Sequence, residues 1–346
     1  MQSERFLLTF AIPTYNRSGH LAQLLSVLLP QLEGETRVEL IVCDNASPDD
    51  TSDVVREFQG RGLRAIYIRN ETNIGPDANF LQCFQRARGK YVWLFGDDDA
   101  LVPGALRRII EMLEDEDFDL VYLTPYGYTK AAQLQNLNLV PLDPVIYSNA
   151  ENYLRRVTNM FTFISSNIIN KERLAEASNI DFSSYIGTNL IQLSWTYAAL
   201  NNFRSGLFVP QVTVLSLSEN SGGFGICRVM GVNLSTLARG IIKSQRMLRI
   251  LENASLRGCL PFYLLKMKES TTYTLNPEPA HEILSARFGS NLNYWLFPYP
   301  IIQLPPFFAR RWLFVCRVFN KIHKLIFVVL AEKSARNSGA LREAKR

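Results

Sequence analysis

Tyr91-Val-Trp-Leu-Phe-Gly-Asp-Asp-Asp-Ala-Leu101 sets five apolar or aromatic residues directly against three consecutive carboxylates. Tyr91 to Phe95 has the length and composition of a strand buried on both faces. Adjacent like charges raise one another's pKa, so Asp97, Asp98 and Asp99 persist most easily where a cation or a proton offsets the repulsion. Two readings follow. In one, all-oxygen ligation holds Mg2+ or Mn2+, since such an ion is commonly bound by one or two carboxylates together with substrate phosphates. In the other, the acids form a solvated turn ahead of a helix over Gly104 to Glu114, which Pro103 introduces.

The flanks repeat the same unit. Phe6 to Ile12 reads as a strand ending at Pro13-Thr-Tyr-Asn-Arg17, with Ser18 as N-cap of a helix through Leu29. Val38 to Cys43 is a second buried strand; a helix over Thr51 to Gln59 follows, stopped by Gly60 and Gly62. Leu63 to Ile68 is a third strand, after which Pro76 opens a helix that Gly89 closes. Phe118 to Leu123 is a fifth. This alternation predicts an α/β fold with a right-handed, doubly wound, mainly parallel sheet. In such sheets ligands sit outside the carboxyl ends of the strands, where this chain gathers Pro13 to Arg17, Asp44 to Ser47, Asn73 to Asn79 and Asp97 to Asp99. Neither GxGxxG after the first strand nor GxxxxGK[ST] occurs, which speaks against a dinucleotide-dependent dehydrogenase and a P-loop phosphotransferase.

Composition bounds the rest. A chain of 346 residues, 47% hydrophobic and 20% charged, buries a sizeable core. Five scattered cysteines without CxxC spacing argue against a zinc site and a disulfide framework, and fit a reducing cytoplasm. The start of the chain is too short in apolar residues for a secretory signal. The net charge of +5 belongs to the tail: residues 310–346 hold ten Lys or Arg against Glu332 and Glu343, leaving 27 basic and 30 acidic residues upstream.

Phe10-Ala-Ile-Pro-Thr-Tyr-Asn-Arg17, Ile41-Val-Cys-Asp-Asn-Ala-Ser47, Asn73-Ile-Gly-Pro-Asp-Ala-Asn79 and Trp93-Leu-Phe-Gly-Asp-Asp-Asp99, in this order, resemble the family 2 glycosyltransferases of GT-A fold over about residues 5 to 125. Within the family, Asp181-Phe-Ser-Ser-Tyr-Ile-Gly-Thr188 and the Gly-Asp-Asp-Asp form of the acidic motif are most similar to abequosyltransferases, bacterial enzymes of O-antigen assembly that use a CDP-dideoxyhexose. The resemblance implies a nucleotide-sugar site. Pro13, Thr14 and Tyr15 would meet base and ribose, Arg17 a phosphate, and Asp44, Asn45 and Ser47 the nucleoside; Asn73, Asp77 and Asn79 would border the base pocket, with Asp97 on the donor. Asp44 could equally cap a helix, although Asp49 and Asp50 lie nearer to one. The family usually reads Asp-x-Asp, and that alignment puts Gly96 where the first acid would stand. Asp98 is then the metal ligand, with Asp97 or Asp99 completing the shell.

The implied organisation is a nucleotide-sugar half (1–125), an acceptor-binding part (126–226) and a helical C-terminal region (227–346). In the second part Thr188 to Leu200 reads as a helix and Arg204 to Leu217 as two strands broken at Pro210. Inverting relatives carry a Glu-Asp pair here as general base, whereas this chain has Gly187-Thr-Asn189. Asp181 is the preferred substitute, Glu219 the other, and Asp99 a further catalytic candidate; alone, Asp181 is also a turn acid before Phe182. Ser218 to Gly225 suits either a lid over the donor or a plain connection. Trp312 to Leu330 carries Arg317, Lys321, His323 and Lys324, which excludes a membrane span. Its basic residues share one sector and its apolar residues another, fitting a helix in a membrane surface or one packed on the protein. Together these imply a Mg2+- or Mn2+-dependent transferase of a sugar from a nucleoside diphosphate, CDP or UDP type, to a lipid-linked or surface saccharide acceptor. It would sit in the cytoplasm, on the inner face of the bacterial inner membrane through residues 310–346, with no nucleic-acid partner. The alternatives are a non-catalytic nucleotide-sugar or glycan binder of GT-A fold and a sugar nucleotidyltransferase.

Overall fold

Runs of apolar residues that end in polar ones become parallel strands. β1 (Leu8–Thr14), β2 (Val38–Asp44), β3 (Ala65–Arg69) and β4 (Tyr91–Leu94) pair side by side in the order β3-β2-β1-β4. β1, β2 and β4 are buried at every residue, as their unbroken apolar character requires. The computed structural model describes residues 5–128, 142–177, 179–217, 223–269, 278–323 and 341–343.

The crossover helices are α1 (Ser18–Leu32), α2 (Thr51–Gly60), α3 (Pro76–Arg86) and α4 (Ala105–Asp115). Each buries a stripe at helical spacing, as Leu21, Leu24, Leu25 and Leu28 do in α1. The stripes of α1, α2 and α4 share one core with Phe10, Trp93 and Phe95, while α3 packs into a second core on the opposite face. That second core runs without interruption from Ala11 and Cys43 to Leu313, so the C-terminal helices are built onto the N-terminal parallel sheet. Ser18 does not cap α1: it is the first helical residue, and its N–H is taken by the Asp49 carboxylate at 2.8 Å.

Beyond β4 the sheet becomes mixed. β5 (Asp99–Leu101) begins within the acidic motif, β6 (Leu120–Tyr128) is the expected fifth strand, and β7 (Val145–Tyr147), β8 (Asn167–Asn170) and β9 (Gly206–Leu217) follow. β8 lies antiparallel between β4 and β6, β9 runs parallel to β6, and β5 and β7 each pair antiparallel with β9. The break expected at Pro210 is absent. β9 is one strand of 12 residues, and Pro210 and Gln211 fall where the register jumps from Leu123–Val209 to Thr124–Val212. A bulge tolerates the missing N–H, which a regular ladder would not.

α5 (Ala150–Val157), α6 (Lys171–Ala177) and α7 (Gln192–Asn201) surround this part. The helix expected from Thr188 starts only at Gln192, because Gly187 (φ 92°) and Asn189 (φ 56°) hold a left-handed turn ahead of it. The C-terminal region is helical, as expected: α8 (Leu234–Ile241), α9 (Gln245–Ala254), α10 (Leu260–Glu269), α11 (Ala280–Phe288), α12 (Leu292–Leu296), α13 (Pro298–Gln303) and α14 (Pro306–His323), with π-helical turns at Cys227–Asn233 and Ser255–Cys259. Among the described residues no helix is long and apolar enough to cross a membrane. Residues 218–222 of the loop read as a lid, with Glu219, lie outside the described residues, as does the tail from Lys324 except 341–343.

Candidate active site

The carboxyl ends of β1, β2 and β4 bring together most of the residues picked out from the sequence. Thr14 at the end of β1 donates its hydroxyl to Asp97 Oδ2 at 2.7 Å. Arg17 Nη1 stands between two acids, 3.1 Å from Asp97 Oδ1 and 3.1 Å from Asp98 Oδ2. Burial alone would lower the Arg17 guanidinium, but Asp97 and Asp98 outweigh it and hold it above its ordinary value. Burial is also the main influence on Asp97, raising it against the opposing pull of the Thr14 hydroxyl and Arg17.

Asp99 is set apart by its surroundings. Its side chain is buried at the start of β5, where Oδ2 accepts from the Ser165 hydroxyl at 2.5 Å and Ser216 opposite it on β9 also donates. Burial pushes this carboxyl up to about 7, and the neighbouring charges of Asp98 and Asp97 add to the rise. Gly96 lies beneath the acids: a Cβ there would stand 3.0 Å from Asp98 Oδ1 and 3.1 Å from Asp99 Oδ2. The family's usual first aspartate would be tight at this position and would need these two carboxylates to shift by a few tenths of an ångström.

A second cluster shapes the end of β2. Asp44 is fully buried, accepting the Ser47 N–H at 2.9 Å and the Tyr67 hydroxyl at 2.5 Å, with Arg69 Nε at 3.8 Å. Capping of α2 falls to Asp49, which accepts from the Thr51 N–H and hydroxyl. Asn45 ties the next loop down: its amide donates to Asn73 Oδ1 (2.8 Å) and the Gly75 carbonyl, and its Oδ1 accepts the Ile74 N–H. Asn79 donates to the Cys43 carbonyl at 3.0 Å from within the core. Ser47 Oγ accepts the N–H of Asn16, so the two strand-end turns are linked, each through a left-handed residue, Asn16 (φ 54°) and Ala46 (φ 63°). Pro13 is buried in β1 beside Cys43, whereas Tyr15 presents a largely exposed ring at the mouth.

Two residues are engaged with the second part of the chain. Asp77, on the first turn of α3, accepts with Oδ2 the N–H groups of Gly187 and Asn189, both at 2.8 Å. Asp181 is exposed and spends its Oδ1 on the Ser183 N–H (3.0 Å) and hydroxyl (2.7 Å), capping the 3-10 turn Phe182–Tyr185. Those donors hold its pKa below the ordinary carboxylate range. A general base is usually given the opposite, a proton affinity raised toward working pH, so what the geometry shows of Asp181 is its work as the turn acid. Sequence reading missed Ser165, Tyr67 and Ser216, because each meets its acid across the sheet and no local pattern marks it.

The donor set fits a hard cation. Asp98 Oδ1 and Asp99 Oδ2 converge over Gly96, but among the described residues no group of three or more His, Cys, Asp or Glu is placed to hold a metal. Two carboxylates are what a Mg2+-like ion takes from a protein when substrate oxygens complete its shell.

Fold and site define a GT-A type glycosyltransferase architecture, and the comparisons agree. Residues 9–177 match Glycosyl transferase family 2, so this stretch of the chain is a domain of that family. Abequosyltransferase RfbV of Salmonella typhimurium is 35% identical over 197 residues, covering 53% of this chain and 58% of its own length. The GalNAc(5)-diNAcBac-PP-undecaprenol beta-1,3-glucosyltransferase of Campylobacter jejuni is 32% identical over 105 residues, 30% of this chain and 33% of its length. The chain therefore spans about half the length of RfbV and a third of the other. Two solved structures share the fold at a TM-score of 0.55 and 16% identity: S. aureus TarS 1-349 with UDP, over 89% of this chain and 88% of that one, and mannosyltransferase PcManGT of Pyrobaculum calidifontis with GDP-Man and Mn2+, over 93% and 89%.

Proposed function

We propose that the chain transfers a sugar from a nucleoside-diphosphate sugar, of CDP or UDP type, to a hydroxyl of a lipid-linked or surface polysaccharide acceptor. The observation that carries this reading is the convergence of Thr14, Arg17, Asp97 and Asp98 at one sheet edge within the family 2 domain. The name of the undecaprenol-linked glucosyltransferase supports the acceptor class, and that of abequosyltransferase RfbV supports sugar transfer.

In this reading Pro13 and Thr14 offer main-chain groups and Tyr15 an aromatic face to the nucleoside, within a pocket made rigid by Asp44, Asn45, Ser47, Asn73 and Asn79. Arg17 is already held by two acids and needs only to swing one N–H toward a phosphate oxygen. Mg2+ or Mn2+ would be held by Asp98 and Asp99, and would supply positive charge to the departing nucleoside diphosphate. Asp97, buried and bonded to Thr14 and Arg17, fixes the geometry of that pair. In this reading α14 would bring the acceptor side to a membrane surface, the inner face of the bacterial inner membrane.

Calorimetry with CDP, UDP, GDP and dTDP, each with and without Mn2+, on wild type and Asp98→Ala tests the proposal. One nucleotide is expected to bind with metal and to lose that binding in Asp98→Ala. Failure of the folded protein to bind any nucleotide would overturn the transferase reading. Binding without transfer to lipid-linked glycan would instead favour the non-catalytic binder.

A further inference from the structure

A cavity of about 740 Å3 lies in the C-terminal half, walled by α5, the 3-10 turn Thr158–Thr162, α9, the π-helical turn Ser255–Cys259 and Asn320 of α14. Four guanidinium side chains line it, Arg155, Arg246, Arg249 and Arg257, against one carboxylate, Glu151. Among the described residues no ion pair engages any of these four arginines. Arg257 is held below its ordinary value by burial first and by the charge of Arg155 second, which places the two cations within reach of each other. A second feature is independent of charge. Asn159 lines the same cavity, and both its Oδ1 and Nδ2 are shut off from solvent with no hydrogen-bond partner in the protein. An orphaned buried amide is costly unless a ligand or ordered water supplies the partner.

Converging cations and an unpartnered amide call for an anion rich in acceptor oxygens. Guanidinium groups match phosphate, as they match carboxylate, through paired N–H bonds, and a phosphate or diphosphate offers more acceptor oxygens to several cations at once. Met160, Ile250 and Tyr263 add an apolar wall beside the charges. We propose that this cavity binds a phosphate or diphosphate ester, held by Arg155 and Arg257 with Asn159. Its source is the bridge that joins a glycan to a lipid carrier or a free diphosphate. The lipid source rests on the transferase reading above, while the anion site itself does not. Location favours the lipid. Thr162 of the cavity wall is three residues from Ser165, the partner of Asp99, and that length of chain spans at most about 11 Å. On the other side Asn320 belongs to α14, whose outer face is apolar.

The test is binding of inorganic pyrophosphate, without divalent metal, to wild type, to the double variant Arg155→Gln/Arg257→Gln, and to Asn159→Asp. Far-UV circular dichroism checks the fold of each, and nucleotide binding with Mn2+ in the same preparations reports the donor site separately. Both variants are expected to bind pyrophosphate at least about tenfold more weakly, the worth of one charge-assisted bond or more, with nucleotide binding unchanged. Farnesyl diphosphate in detergent micelles, with farnesol as control, identifies the source: tighter binding than pyrophosphate assigns a lipid, and equal binding a soluble diphosphate. Pyrophosphate binding that is absent in wild type, or equal in wild type and both variants, overturns the site. Loss of nucleotide binding in wild type with pyrophosphate binding intact would sink the transferase reading and leave the anion site standing.

Discussion

At Asp99, burial and the charges of Asp98 and Asp97 outweigh the hydrogen bonds from Ser165 and Ser216, and the carboxyl titrates at about 7 in place of its ordinary 3.8. The native state thus holds a proton that the unfolded chain has released. Below about pH 4 both states are protonated and Asp99 contributes nothing; as pH rises toward 7 the native state binds more protons and stability falls; above 7 the whole penalty is present. At roughly 1.4 kcal/mol per pH unit its upper bound is about 4 kcal/mol. Asp97 and Asp77, both raised by burial, act in the same sense. The metal-free protein is therefore expected to melt at lower temperature at pH 8 than at pH 5, and Asp99→Asn to recover part of that loss at pH 8 with little effect at pH 5. Mn2+ should raise the melting temperature more at pH 8, where it no longer competes with the proton. Scanning calorimetry at the two pH values checks both; a wild type equally stable at each, with Asp99→Asn changing nothing, would show that Asp99 ionises normally. The acids themselves were legible as three consecutive carboxylates after an apolar run. Ser165 was not, because it lies 66 positions downstream and only the fold brings it to Asp99.

Helix α3 joins the two functional parts through one side chain. Pro76 opens the helix, and Asp77 on its first turn accepts two N–H groups from the turn that precedes α7. That turn contains Asn189 at φ 56°, a conformation a non-glycine residue holds only when its surroundings enforce it. Removing the acceptor orphans two donors, each costing about 1–3 kcal/mol. Asp77→Ala is expected to lose about 2–4 kcal/mol in urea unfolding, and Asp77→Asn, which keeps an acceptor oxygen, less than half of that. A loss below about 0.5 kcal/mol in Asp77→Ala would mean that water replaces the carboxylate at no cost. The resemblance of Asn73 to Asn79 to the family motif put Asp77 at the base pocket; which way a side chain points from a first turn depends on what packs above it. The same limit explains the sheet. β1 to β4 were legible because each is an apolar run closed by polar residues, with a helix to the next. The insertion of β8 between β4 and β6 and the pairing of β5 with β9 join residues about 50 to 120 positions apart, and nothing local encodes them.

Over the whole molecule, α14, the described start of the tail, packs one face on the protein and leaves another exposed. Ala309, Leu313 and Cys316 form a buried seam at helical spacing, and Asn320 continues it by donating to the Arg257 carbonyl at 2.5 Å. The rest of the helix surface exposes Phe307, Phe308, Phe314, Val315, Val318, Phe319 and Ile322, with Leu292, Trp295 and Leu296 of the neighbouring α12 segment also exposed. Such an apolar surface is larger than scattered single residues explain. Its cations choose the occupant. Arg311 lies over the Phe307 ring at 4.3 Å, Arg317 over Phe262 at 5.7 Å, and Lys321 is exposed one turn further on. Aromatic rings among cations suit an anionic lipid surface, where each cation contributes about 1 kcal/mol and each aromatic side chain that enters the interface about 1–3 kcal/mol. The protein is accordingly expected to co-sediment with vesicles containing phosphatidylglycerol and far less with phosphatidylcholine alone, and the difference should shrink as salt rises. Phe307→Ser/Phe314→Ser should weaken binding about tenfold or more on both compositions, since it removes area and not charge. Arg311→Ser/Lys321→Ser should instead abolish the preference for anionic lipid while leaving the salt-independent part. Both phenylalanines are exposed on α14, so neither change opens a cavity and the fold provides its own control. Equal co-sedimentation of wild type and the phenylalanine variant would remove the membrane from this face. A concentration-dependent dimer of wild type that the same variant dissolves would give it to a second copy of the chain, because the apolar area would then be covered by protein before any vesicle is added.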